Sequence, residues 1–92
     1  MAAYEDVAHV TDIDGVEIRV EATLRSGARE GRGCDWHGTV SGGVASWRAL
    51  QTRGAVTIRV GERVAQCMVI WLDERDPRTA RIRGVPQSSP PF

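Results

Sequence analysis

Val16-Glu17-Ile18-Arg19-Val20-Glu21-Ala22-Thr23-Leu24-Arg25 changes polarity at every step. Wound into a helix, these apolar side chains would scatter around the cylinder; on an extended chain they share one face. The stretch is a half-buried strand, so the fold is built from sheet. Asp12-Ile13-Asp14-Gly15, just before it, is a turn with two registers to choose from. A two-residue turn at Asp14-Gly15 would set His9 opposite Val20 on the core face. A three-residue loop, Ile13-Asp14-Gly15, closes as a type I turn ending in a left-handed glycine and pairs Val10 with Ile18 and Ala8 with Val20. That register buries Val10 and Ala8 and leaves His9 and Thr11 in water beside Arg19 and Glu17. The hydrophobic pattern selects it.

The same alternation recurs downstream. Val56, Ile58 and Val60 lead into Gly61-Glu62, where a leading glycine marks a two-residue hairpin pairing Val60 with Arg63, Ile58 with Ala65 and Val56 with Cys67. Continued outward, Val69 and Trp71 fall on the inner face. The opposite face carries Val64, Gln66, Met68, Ile70 and Leu72, so the end of this strand is apolar on both sides. Left wet, such a face costs about 25 cal/mol per Å², so a cover is expected. Either the segment around Trp47 and Leu50 folds over it, or a second copy of the chain does, making Met68, Ile70 and Leu72 a homodimer interface. Cys34 to Val40 reads as another strand with Cys34, Trp36, Gly38 and Val40 on one face, after a surface loop over 26–33. Residues 44–50 hold at most one short helical turn. Asp73 to Pro77 is a turn, Thr79 to Val85 a final strand, and 86–92 a proline-rich tail. The expectation is a single all-β domain over 1–92: an antiparallel six-stranded barrel, or a strongly bent sheet or sandwich, with short hairpins.

Composition narrows the function classes. Ninety-two residues supply one modest core. Twelve arginines, with no lysine, balance twelve acids, giving a net charge of zero and arguing against a nucleic-acid module, which usually shows a basic excess. The basic stretches 25–32 and 78–83 are local, and Asp73, Glu74 and Asp76 precede the second. The longest apolar run, Cys67 to Leu72, is far short of the ~20 residues of a spanning helix. No basic stretch precedes an apolar one at the start, so a soluble cytoplasmic protein without a membrane partner is expected.

Few constellations carry chemistry. Cys34-Asp35-Trp36-His37 gathers a thiol, a carboxylate and an imidazole, but Cys34 and His37 point to opposite faces of a strand, so no catalytic dyad is assigned. Cys34, Cys67, His9 and His37 lack metal-site spacing, and neither a metal nor a cofactor is expected. Cys34 and Cys67 could be bridged if their strands adjoin, although the absence of an export signal favours thiols. The 26–33 segment is read as a solvated connection whose Arg25, Arg29 and Arg32 could meet an anion. Trp36 and Trp71 suit a core, and Trp47 suits a cleft or a barrel end. Trp36, His37, Trp47 and Arg32 are the candidate ligand-binding residues. Three readings follow. The first is a binding module for a protein, a second copy or a small apolar ligand. The second is a small enzyme acting on a hydrophobic metabolite in a barrel mouth through His37, Asp35 and Arg25 or Arg32. The third is a single-stranded nucleic-acid binder, which requires Trp and Arg together on one exposed sheet face.

Tyr4 followed by Ala8, the Asp-Gly turn with its long alternating strand, Gly31-Arg32 before Trp36-His37-Gly38, the hairpin at Gly61 and the terminal Pro90-Pro91-Phe92 together resemble a family. It is a small bacterial domain of unknown function, common in actinobacteria, that stands alone or follows flavin-dependent monooxygenases at their C-terminus. This chain departs from the pattern at His37, where another aromatic is expected, and in its looser 26–33 loop. The resemblance implies a compact β fold, no catalytic residue to carry over, and an accessory role beside a flavin-dependent monooxygenase.

Overall fold

The computed structural model describes residues 2–29, 33–85 and 89–92, the side chains of 2, 28, 29, 33 and 34 excepted. Strands β1 (Ala2–Thr11), β2 (Glu17–Arg29), β3 (Gly33–Gly42), β4 (Ala55–Val60), β5 (Arg63–Leu72) and β6 (Thr79–Gly84) close into an antiparallel barrel in the order β1-β2-β3-β6-β5-β4, with helix α1 (Trp47–Arg53) between β3 and β4. The all-β barrel expectation holds. No helix among the described residues is long and apolar enough to cross a membrane.

Both hairpin registers are the expected ones, the first selected by the hydrophobic pattern and the second by the leading glycine of its turn. Val10 faces Ile18 and Ala8 faces Val20, while Gly15, at φ 86°, donates its N–H to the Asp12 carbonyl at 2.9 Å. Val60 faces Arg63 and Val56 faces Cys67 across Gly61, whose φ is 60°. Residues 26–29 and 33, expected in a loop, are instead strand: β2 and β3 stay paired as far as Arg29 and Gly33. Three glycines in a row of small residues read as a connection, but such residues also suit two strands that merely continue a ladder. The remainder of that loop, with Arg32, lies outside the described residues.

The interior is filled by interleaving large and small side chains. Leu24, Gly38, Ile82 and Val69 form one cross-strand row, and Gly38 has no room for a Cβ against the main chain of Thr23 and Leu24. Trp36 lies against Gly84 in the same way. Trp36 is 1% exposed and belongs to the core. One barrel end is closed by α1. Ser46 caps it by accepting from the Ala49 N–H at 3.1 Å, and Trp47 and Leu50 point into the core. Trp47 is 2% exposed and donates its indole N–H to the Arg78 carbonyl at 3.0 Å. It therefore plugs the barrel end. Buried Asp12 ties two connections together there, accepting from the N–H groups of Ile13 at 2.8 Å and Ala45 at 3.1 Å.

Elsewhere β1 outruns its neighbour. It pairs with β4 only at His9–Arg59 and Val10–Ile58, so Ala3 to Val7 ladder with β2 alone. This edge is blunted from within: Val7 donates to Asp6 Oδ1 at 2.7 Å and accepts from the Tyr4 hydroxyl at 2.6 Å. Phe92 stacks on Tyr4 at 6.2 Å, so the end of the tail folds back onto the barrel.

Candidate functional site

A β-bulge decides what the barrel shows to its surroundings. Val69 pairs with Ile82 and Trp71 with Arg81, so Ile70 is an extra residue in β5. A bulge reverses the inside–outside alternation beyond it. Trp71, expected in the core, therefore stands outside, and Leu72, expected on the outer interface, turns in to pack on the core. The outer face of β5 is left with Val64, Met68, Ile70 and Trp71, which are 57, 44, 52 and 49% exposed. α1 does not cover this face; its buried side chains serve the interior.

Arginines border the apolar strand. On β6, Arg81 and Arg83 alternate with inward Ala80 and Ile82. The Arg81 guanidinium carbon lies 5.6 Å from the centre of the Trp71 ring, a cation–π contact. Across the sheet, Arg25 of β2, His37 of β3, Arg83 of β6 and Met68 of β5 are direct neighbours in one row. Thr23, Thr39, Arg81 and Trp71 form the next. Directly opposed residues stand ~5 Å apart, so the side chain of His37 leaves the sheet between those of Arg25 and Arg83. Asp35 is the acid at hand, 4.0 Å from Arg83. Thr23, Arg25, His37, Thr39, Arg81 and Arg83 of these rows, with Asp35 and Ile70, line an open depression of about 690 Å³, and Met68 and Trp71 lie beyond it on β5.

His37 and Asp35, which the enzyme reading needs in a barrel mouth, are thus on the outer wall; His37 is exposed. Among the described residues no three of His, Cys, Asp and Glu gather where a metal could be held. Cys67 is a buried free thiol whose pKa burial pushes up to about 12, and the side chain of Cys34 lies outside the description. Arg81 and Arg83 were legible as outward residues from their alternation with Ala80 and Ile82, but nothing in the sequence marks the bulge at Ile70 that brings Trp71 to them.

A second histidine row lies elsewhere on the wall: Arg19, His9 and Arg59 are neighbours on β2, β1 and β4. Here Glu17 takes two hydrogen bonds from Arg59, at 2.9 and 3.0 Å. The pair holds the Glu17 carboxyl below its ordinary range, through that hydrogen bond first, and raises Arg59.

Fold and site together define a small closed β-barrel with a filled interior and an amphipathic, arginine-bearing outer wall. No family model matches the chain, and no curated protein or solved structure does either.

Proposed function

We propose that this protein is a binding module without chemistry of its own, and that it works from the outside of its barrel. One observation carries the reading: Met68, Ile70 and Trp71 lie exposed on one strand, directly beside Arg81 and Arg83. Tryptophan, methionine and arginine are the residues enriched in the cores and hot spots of protein interfaces. A barrel filled with its own side chains also leaves recognition to its surface. The partner is another protein that brings both apolar and anionic groups. The resemblance to a domain carried by flavin-dependent monooxygenases makes such an enzyme the first candidate, and the cytoplasm, where Cys67 stays a thiol, the expected compartment. His37 acts here as one of the basic groups of the surface.

A photo-crosslinking residue placed at Ile70, and in a separate variant at the outward Thr57 of β4, tests the surface. A partner joined at 70 and not at 57, and lost when Arg81 and Arg83 are both changed to Glu, supports the reading. Equal capture at both positions, or capture indifferent to the two arginines, ends it.

A further inference from the structure

Resting on that reading, we infer that the occupant of this wall is an acidic amphipathic helix of the partner protein. Residues of β3, β6 and β5 under the site are paired within the barrel's own ladders. Apart from the bulged Ile70, which the ladder passes over, the wall therefore offers side chains rather than main-chain groups, and a peptide lying on it keeps its own backbone hydrogen bonds. A helix does this internally.

Spacing and charge then fix the chemistry. The apolar row on β5 and the arginine row on β6 run side by side, one strand separation, ~5 Å, apart. Arg81 and Arg83, two residues apart, stand ~7 Å apart along the strand. Carboxylates at i and i+4 of a helix repeat every ~6 Å, with an apolar stripe beside them for Ile70, Met68 and Trp71. Arg25 and His37 extend the basic side across the depression. A nucleic-acid strand would match the arginines and Trp71, but it has nothing aliphatic to place on Val64, Met68 and Ile70. A second copy would bring arginines where carboxylates are needed.

The bulge supplies independent support. An unbulged β5 would place Trp71 with Val69 in the core, whereas the extra residue leaves a large aromatic half in water against Arg81. Bulges that re-aim a side chain are concentrated at functional places.

Trp71 is also the reporter. Trp36 and Trp47 are buried, so solvent-sensitive emission of the full chain comes from Trp71, with Trp71→Phe as control. The probe is a helical peptide of about 20 residues, long enough to hold a helix, with Glu on one stripe and Leu and Phe beside it. The expected result is saturable quenching, weakened by salt and by about tenfold or more in Arg81→Glu/Arg83→Glu, since like charges across an interface are strongly unfavourable. The same peptide with Lys for Glu does not bind. If the Lys peptide binds as well, if the double variant binds unchanged, or if light scattering shows a dimer that buries Trp71, the inference is overturned. Tighter binding of an oligothymidylate of about a dozen nucleotides overturns the helix but leaves the wall as the binding surface. If neither probe reaches Trp71, the surface reading falls as well.

Discussion

The two histidines of this chain stand in matching surroundings and come to opposite ends. His9 lies between Arg19 and Arg59, His37 between Arg25 and Arg83, each on a middle strand with an arginine on either side. In the first row Glu17 fits Arg59 with two short hydrogen bonds, and Arg59 also donates to the Gly61 carbonyl at 2.6 Å. That guanidinium is consumed by the barrel's own structure. In the second row Asp35 stands 4.0 Å from Arg83, and Arg81 leans on Trp71. The difference shows that a net charge of zero can hide a segregated surface. Register, rather than composition, decides which arginines remain available.

The sharpest way to break the comparison is from beneath the second row. Gly38 sits between His37 and Thr39, and a Cβ there would strike the main chain of Thr23 and Leu24, where no side-chain rotation gives relief. Gly38→Ala is expected to cost about 3 kcal/mol, the upper part of the overpacking range. For a domain of this size that lowers the melting temperature by roughly 12–24 °C. A melting curve within a few degrees of the parent would mean that β2 and β3 can separate under the site, and the depression would then be no fixed feature.

What the sequence allowed, and what it hid, follows the same division. Hairpin registers were readable because an apolar pattern of period two tolerates no slip: moving β1 by one residue would have buried His9. The first histidine row was therefore legible down to the pairing of His9 with Arg19. The second was not. Residues 26–29 carry too little hydrophobic signal to show that β2 continues. An insertion of one residue within an all-apolar run, Cys67 to Leu72, leaves no mark when both faces read as buried. Trp71 and Leu72 were consequently exchanged, and with them the composition of the outer face. α1 was half visible, as Trp47 and Leu50 three apart; its place in the barrel end depends on bonds to Arg78 and Asp12 that only the closed fold brings near.

A smaller effect sharpens the contrast between inside and outside on β5. Cys67 lies beneath Met68, and burial holds its pKa at about 12. An unfolded thiol ionises near 8.5, so folding keeps a proton that the unfolded chain loses. The stability this contributes is whole below about pH 8.5 and falls as pH rises towards 12. Between pH 8 and 10 the expected loss is about 1–2 kcal/mol, absent in Cys67→Ala. A disulfide-exchange reagent at pH 8 should leave the native thiol untouched and titrate it on unfolding. Rapid reaction of the folded protein would show that the barrel opens at this strand.

The least perturbing test converts one histidine row into the other. Glu17→Gln removes the charge that occupies Arg59 while keeping the shape. Both side chains reach water, so the change in stability at neutral pH is expected to be small and to shrink in salt. Its pH dependence has a definite sign. The folded carboxyl is lowered, so its contribution is present above the ordinary unfolded value of about 4.3 and is lost as pH falls through the folded one. The parent's slight advantage over Glu17→Gln should therefore disappear in acid. The binding consequence is the more telling. With the Glu17 charge gone, the Arg19–His9–Arg59 row has the same residue types as the open one but only Val64 of the apolar stripe beside it. If charge alone suffices, amide shifts with the acidic peptide will appear at His9 as well as at His37. If the peptide still chooses the wall of Trp71, the bulge at Ile70, more than the arginines, makes that side a binding surface.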